Sequence, residues 1–376
     1  MREFLTGNDA IVRGALKAGC NFFAGYPITP ASSILSRFVD AFADGRGIAV
    51  QTEDEIAAIG QCIGAAMAGA KALTASSGPG LSLYSENIGL AQMGEVPIVV
   101  VDCQRMGPAT GGATATGEGD VLFARHVTSG GYPIPVLAAT DAASAYRLTF
   151  EAFNIAERLR TPVLLLASKD ISLTRQTVDL DEVRLRPRFE RASYMKDNGY
   201  RPYFTDDPAG IPEFAPIGGP HRVRFTGSIH GDDGLLTIDR SQIARKLRRL
   251  NAKIESARSQ LEYVDADIDP DADVLVISYG ASDGAARDAV DAARAQGRRV
   301  SLLTLYSLWP VPVDAIRRAV THRVHEVVVP ELNIGLYVEE IRKVIRHGKI
   351  TSITRFDGGL ITPKELRLAV QRGLCG

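Results

Sequence analysis

Three short stretches of this chain each follow an apolar run, precede a helical pattern, and carry a side chain able to do chemistry. The first is Glu53-Asp54-Glu55, followed at once by Ile56-Ala57-Ala58. Adjacent acids repel one another, and the positive end of a helix dipole accounts for Glu53 and Asp54, a surface effect of about 0.3–1 kcal/mol. Glu55 differs because apolar residues follow it. Its carboxylate enters a surround in which it requires a cationic or N–H partner, and a bound ligand is a natural source of one. The second stretch is Gln104-Arg105-Met106-Gly107-Pro108-Ala109-Thr110-Gly111-Gly112. A guanidinium beside a glycine-rich loop suits two-pronged capture of a carboxylate, or alternatively an ion pair with Asp102 or Asp120. The third is Gly25-Tyr26-Pro27-Ile28-Thr29-Pro30. Its prolines fix their own φ and hold Tyr26 and Thr29 extended. Thr29 is then expected as the N-cap of a helix over 31–42, with Pro30 in the first helical position. A fourth stretch, Ala75-Ser76-Ser77-Gly78-Pro79-Gly80, has glycines where backbone N–H groups can face a ligand and a proline that stiffens the turn.

These stretches need a frame to bring them together. Continuously apolar runs at 21–24, 48–50, 72–76, 97–102, 135–138 and 162–166 alternate with helical patterns, as in a parallel sheet covered by helices on both faces. That is a doubly wound α/β domain, and in such a sheet the strand ends converge on one crevice. The same grammar returns with strands at 274–278, 300–305, 326–330 and 353–356 and helices at 285–296, 314–320 and 337–345. Thr362-Pro363-Lys364-Glu365 reads as a capping box opening the last helix. Between the two units the chain is rich in Arg, Pro and Gly and has no sheet pattern up to residue 234. From 241 to 264, Ile243, Leu247, Leu250, Ile254, Ala257, Leu261 and Val264 draw one apolar stripe along a helix of about seven turns. That stripe packs either on its own subunit or on a partner. The expected divisions are 1–174, a linker region 175–270, and 271–376.

Composition narrows the partners. A chain of 376 residues with 45% hydrophobic and 23% charged residues can bury a large core, and a net charge of −1 gives no electrostatic reason to expect nucleic acid or an anionic membrane. Polar Thr6, Asn8 and Asp9 stand where a signal peptide would be apolar, and no run is long enough to span a bilayer, so a cytoplasmic location is expected. Cys20, Cys62, Cys103 and Cys375 show neither cluster nor zinc spacing and are expected as buried small hydrophobes. Residues 64–71 fail as a P-loop, Gly280 and Gly284 fail as a dinucleotide fingerprint, and no nucleophile elbow is present. His221, His230 and Asp232 are expected on the surface.

Gly7-Asn8, the hexapeptide 25–30, Glu53-Asp54-Glu55-Ile56-Ala57, Ser76-Ser77-Gly78-Pro79-Gly80-Leu81-Ser82-Leu83 and Gln104-Arg105-Met106-Gly107-Pro108, in that order, resemble the alpha subunit of 2-oxoacid:ferredoxin oxidoreductases, most of all the 2-oxoglutarate type. The resemblance is dense over the first 170 residues, looser in the second α/β unit and slight between them. It implies a thiamine-diphosphate pyrimidine-binding domain, an irregular helical middle region and a transketolase-C-like domain. Glu55 matches the glutamate that hydrogen-bonds N1′ of the coenzyme, favouring the tautomer whose exocyclic nitrogen takes the C2 proton. Ser77, Gly78, Pro79 and Gly80 fall on the cofactor-binding side. Thr29, Arg105 and Ile28 match the substrate side, with Arg105 on the 2-oxoacid carboxylate and Thr29 beside it near a helix N-terminus. No pyrophosphate and magnesium signature is found, His230-Gly231-Asp232-Asp233-Gly234 being a poor echo, and no cluster ligands. Both absences fit a family whose beta subunit supplies the diphosphate-binding domain, Mg²⁺ and a [4Fe–4S] cluster. Ferredoxin or a similar carrier, coenzyme A, and gamma- and delta-type subunits are the further partners implied. Other readings left open are another 2-oxoacid (pyruvate, a branched-chain acid, an aryl-glyoxylate), a non-redox transketolase-like or decarboxylase half, and a non-catalytic scaffold in which the hexapeptide only shapes a turn.

Overall fold

The computed structural model describes residues 2–196 and 199–373. Its larger sheet has seven strands, in the order Ser307–Trp309, Val136–Ala138, Val163–Ser168, Ile98–Gln104, Ala72–Ser76, Phe22–Gly25, Ile48–Gln51. Every pairing is parallel except the first, and the registers Gly25↔Gln51 and Ser76↔Asp102 bring the carboxyl ends of four neighbouring strands side by side. Strand 163–168 is buried at every position because helices cover both faces. The second sheet has five strands: Lys349–Thr354, Glu326–Glu331, Val274–Ser278 and Val300–Leu305 in parallel, then Val264–Asp267 antiparallel at the edge.

The two sheets are not independent. One apolar cluster runs from Ile98 and Val100 of the first to Leu275, Leu303 and Tyr337 of the second. Strand Ser307–Trp309 crosses over to close the edge of the larger sheet, while the Trp309 indole donates to the Val121 carbonyl at 3.2 Å. That strand had no sequence signal, being three residues between a longer strand and a proline.

Other boundaries moved for identifiable reasons. The long helix expected over 241–264 runs Arg240–Ser256, followed by a 3₁₀ turn Arg258–Gln260 and then strand Val264–Asp267. The last part of the expected stripe is apolar because Leu261 closes the turn into the core, and Val264 starts a sheet edge rather than another helical turn. Leu250, Ile254, Ala257 and Leu261 are buried on their own chain. Beside them Lys246, Arg249 and Lys253 are buried too, all three on the Glu95 carboxylate. Strand 353–356 is instead Lys349–Thr354, which leaves Phe356 outside the sheet and exposed. The terminal capping box forms, with Thr362 N–H and hydroxyl donating to Glu365 at 2.8 and 2.6 Å. His230 is not on the surface: its ring packs 4.0 Å from Tyr203, Nδ1 faces the Ser228 carbonyl at 2.7 Å, and burial lowers its pKa to about 4. Cys20, Cys62 and Cys103 are buried free thiols, and Cys375 lies outside the described residues. Among the described residues no helix is long and apolar enough to cross a membrane.

Candidate active site

The three acids at 53–55 separate into three fates. Glu53 is exposed, Asp54 caps the helix Glu55–Met67 by accepting the Ala57 N–H at 2.8 Å, and Glu55, its first residue, is buried at 4% exposure. Glu55 Oε1 accepts the Ser76 hydroxyl at 3.0 Å from the end of the neighbouring strand, and Oε2 has no partner among the described residues. Gly80 makes this possible, since a Cβ at that position would fall on both the Ser76 hydroxyl and the Glu55 carboxylate.

The sequence reads Ser77 to Gly80 as a proline-stiffened turn. Gly78–Pro79–Gly80 is instead the first turn of the helix Gly78–Met93, because Pro79 at its start needs no N–H partner there and sets φ for the helix. Ser77 is the N-cap residue, but its hydroxyl makes no cap bond and is buried without a partner.

Arg105 stands just past strand Ile98–Gln104, 7% exposed, and donates from Nη1 to the Thr29 carbonyl at 2.6 Å. It forms no ion pair among the described residues, and its Nε is buried without a partner. Asp102 and Asp120, the alternative partners, turn to each other instead. Burial and the neighbouring Asp120 push Asp102 well above the usual carboxylate range, and burial pushes Asp120 up to about 6. Two carboxyl groups so placed share one proton rather than both ionising. Asp120 also lies 2.9 Å from where a Gly78 Cβ would be, at the positive end of the helix Gly78–Met93.

Thr29 does not cap a helix. The helix that follows is Ser32–Ala41, with Ala31 as its uncapped N-cap. The reason is tertiary: the Thr29 carbonyl is taken by Arg105 and the Pro30 carbonyl by Asn8 Nδ2 at 2.8 Å, so neither is free to open the helix. Asn8 is wholly buried, also donates to Ser33 Oγ at 2.8 Å, and accepts from the Cys103 thiol at 3.6 Å. The Thr29 side chain is exposed, whereas Ile28 packs against the core beneath.

A cavity of about 430 Å³ opens beside these groups, lined by Gly78, Pro79, Arg105 and Asp120 from the first unit and by Leu332 and Phe356 from the second. Arg105, Gly78 and Pro79 thus meet at one wall. Glu55 is joined to that wall through Ser76 and Gly80, and Thr29 through Arg105, although Glu55, Thr29 and Ile28 do not line the cavity itself. Sequence reasoning quoted Ser76 and Asn8 only within motifs and gave them no partner, named Asp102 and Asp120 as alternative partners of Arg105 rather than of each other, and missed Glu118, whose partners lie far along the chain. A guanidinium without an ion pair among the described residues, a helix N-terminus and the unpartnered buried atoms Ser77 Oγ and Arg105 Nε suit the binding of a polar, anionic ligand.

Comparison with known proteins places the chain in a family. Residues 13–248 match the family model of the thiamine-diphosphate-binding region of pyruvate flavodoxin/ferredoxin oxidoreductases, and residues 272–366 match core domain II of pyruvate:ferredoxin oxidoreductase. The chain is 38% identical over 364 residues to the 2-oxoglutarate synthase subunit KorA of Archaeoglobus fulgidus, covering 97% of each. It is 34% identical to the subunit of the same name from Methanothermobacter thermautotrophicus, covering 96% of each. Among solved structures it resembles the 2-oxoglutarate:ferredoxin oxidoreductase of Magnetococcus marinus, determined with 2-oxoglutarate, coenzyme A and succinyl-CoA bound. The TM-score is 0.92 at 31% identity, over 99% of this chain and 65% of that one.

Proposed function

We propose, from the premise that this chain belongs to the 2-oxoacid:ferredoxin oxidoreductase family as an alpha subunit, that it carries the pyrimidine-side half of an active site oxidising 2-oxoglutarate to an acyl-CoA, with electrons passed to ferredoxin or a similar carrier. Relatives matched almost end to end support 2-oxoglutarate over other 2-oxoacids. The observation that carries the reading is a buried Glu55 with one oxygen held by Ser76 and the other unpartnered, adjoining a cavity walled by an unpaired Arg105.

The residues present fit thiamine diphosphate. Glu55 Oε2 lacks a protein donor, Ser77 Oγ is orphaned, and Gly80 leaves room where any side chain would displace the carboxylate. When bound, that coenzyme supplies an acidic C–H and an electron sink that amino-acid side chains do not offer. In this reading Glu55 holds the proton exchanged at N1′ and Ser76 fixes its carboxylate. Ser77, Gly78, Pro79 and Gly80 form the surface against the ring. Arg105, held by the Thr29 carbonyl, takes the 2-oxoacid carboxylate with its remaining N–H groups. The Thr29 hydroxyl donates to the substrate from the exposed side of the same turn, and Ile28 sets the apolar floor beneath it. The shared proton of Asp102 and Asp120 removes one negative charge that would otherwise compete for the guanidinium.

The diphosphate, its Mg²⁺ and a [4Fe–4S] cluster are assigned to a beta subunit. Supporting its docking here, Ile56 and Leu83 are exposed at 51% and 45% on the helices that begin with Glu55 and Gly78, and a Cβ at Gly60 or Gly64 would touch nothing of this chain. Backbones can therefore approach that face closely. Gamma- and delta-type subunits, coenzyme A and a ferredoxin complete the proposed partners, in the cytoplasm, with no role for nucleic acid or membrane.

The test is Glu55→Gln in the reconstituted complex. Loss of hydrogen–deuterium exchange at the coenzyme C2, by roughly 10²–10⁴-fold as for removal of a positioned proton-transfer group, is expected. Unchanged exchange would end this assignment of Glu55.

A further inference from the structure

Arg105 stands at one side of a narrow neck in the chain, and Glu118 stands at the other. Between them residues 106–117 fold back on themselves: Met106 N–H donates to the Ala115 carbonyl at 3.0 Å and Gly112 N–H to the Met106 carbonyl at 2.9 Å. At the neck a Cβ on Gly117 would lie 2.8 Å from Met106 Cα and 3.3 Å from the Arg105 carbonyl carbon, so the two limbs touch backbone to backbone. Whatever fixes Glu118 therefore fixes Arg105.

Glu118 is fixed in the second unit. It is 1% exposed, its N–H donates to the Leu332 carbonyl at 2.8 Å, and its carbonyl accepts Asn333 Nδ2 at 3.0 Å. Its carboxylate Oε1 accepts the Ala281 N–H at 2.8 Å, while Oε2 is buried without a partner. Ala281 is the N-cap of the helix Ser282–Ala295, just beyond strand Val274–Ser278 of the parallel sheet. Gly280 has φ +59° there, and a Cβ on it would fall on the Glu118 carboxylate. The carboxyl end of a parallel strand feeding a helix N-terminus is where open α/β sheets receive anionic ligands. In this chain that position is filled by a side chain arriving from the first unit.

We propose that Glu118 is a positioning residue for Arg105: its carboxyl group acts as a tethered hydrogen-bond acceptor in the strand-end crevice of the second unit and so holds the Arg105 loop against the cavity. The second unit thereby serves substrate capture in the first. This rests on the reading that Arg105 takes the 2-oxoacid carboxylate.

The experiment compares Glu118→Ala, Glu118→Gln and Arg105→Ala in the reconstituted complex. For E118A the kcat/KM for 2-oxoglutarate is expected to fall roughly tenfold to hundredfold, as for a displaced binding group, chiefly through KM, with exchange at the coenzyme C2 unchanged. E118Q, which keeps the acceptor oxygen for Ala281, should recover most of that loss. Added acetate should partly restore E118A and not R105A. Amide hydrogen exchange over residues 105–117 should quicken in E118A, and the double variant should be no worse than R105A alone. Parental KM in E118A beside an impaired R105A would overturn the proposal and leave the Arg105 reading standing. Parental kinetics in R105A itself would overturn the reading beneath it. Should E118A fail to fold, E118D, whose carboxylate falls one methylene short of Ala281, decides the matter by the same KM and exchange measurements.

Discussion

Replacing Arg105 by alanine removes a guanidinium that is 7% exposed, unpaired with any carboxylate among the described residues, and already committed through Nη1 to the Thr29 carbonyl at 2.6 Å. That commitment costs the substrate one N–H but fixes the plane of the remaining donors. A hydrogen bond to a charged group contributes about 1.5–3 kcal/mol, which corresponds to roughly 10- to 150-fold in kcat/KM, and a two-pronged contact belongs at the upper end. R105K should fall between parent and R105A, because an ammonium keeps the charge and loses the fork. The assay is reduction of a low-potential dye by the reconstituted complex with 2-oxoglutarate and coenzyme A, with exchange at the coenzyme C2 as the control for an intact cofactor site. An uncharged keto amide analogue should be indifferent to the substitution. Equal kcat/KM for R105A and parent on 2-oxoglutarate, or an equal loss on the amide, would refute the carboxylate contact.

Gly80→Ala should abolish exchange at the coenzyme C2 in a folded protein, since the added Cβ displaces the Glu55 carboxylate and the Ser76 hydroxyl; retention of parental exchange would show that Glu55 tolerates movement. Glu95→Ala strands three buried cations, Lys246, Arg249 and Lys253, and should destabilise the chain by about 3–5 kcal/mol, read as a fall in the urea midpoint. Glu118 has a pH signature. Burial, with Asp170 and Glu331 nearby, raises its pKa from 4.5 to about 8, so the folded chain binds a proton that the unfolded chain releases. Its contribution is intact below about 4.5, falls as pH rises from there to about 8, and falls no further above that. E118Q, which cannot ionise, should therefore gain stability relative to parent as pH is raised from 5 to 8, and a constant difference across that range would contradict the assignment.

The positions of Glu55 and Arg105 were legible because a charged residue at a strand end is conspicuous and parallel strands align their ends. Their partners were not. Ser76 lies 21 residues from Glu55, Thr29 76 residues from Arg105, and Ala281 163 residues from Glu118, so no local spacing announces them. Thr29 failed as a cap because its carbonyl and that of Pro30 were claimed by side chains from elsewhere, which local chemistry cannot foresee. The helix Arg240–Ser256 was visible by its stripe. Its buried Lys246, Arg249 and Lys253 would be read as a solvated face by any pattern rule, since only Glu95, in a distant loop, makes their burial tolerable.

The chain treats buried charge by two opposite rules. At Glu95 both carboxylate oxygens are saturated: Lys246 and Arg249 donate to Oε1, and Arg249 and Lys253 to Oε2. Around the cavity, Ser77 Oγ, Arg105 Nε and Glu118 Oε2 have no hydrogen-bond partner. A buried polar atom left unmet costs about 1–3 kcal/mol, so such atoms weigh against the isolated chain. A sequence able to saturate Glu95 is not short of donors, yet beside the cavity and the strand-end crevices it leaves Ser77 Oγ, Arg105 Nε and Glu118 Oε2 unmet, while Tyr203 Oη, His230 Nε2, Thr321 Oγ1 and Ser352 Oγ are unmet elsewhere. Unmet atoms bordering a cavity are what is expected where a ligand and a partner subunit complete the set. The same atoms that weaken the free subunit are then those through which coenzyme, 2-oxoacid and beta subunit would stabilise it by mass action.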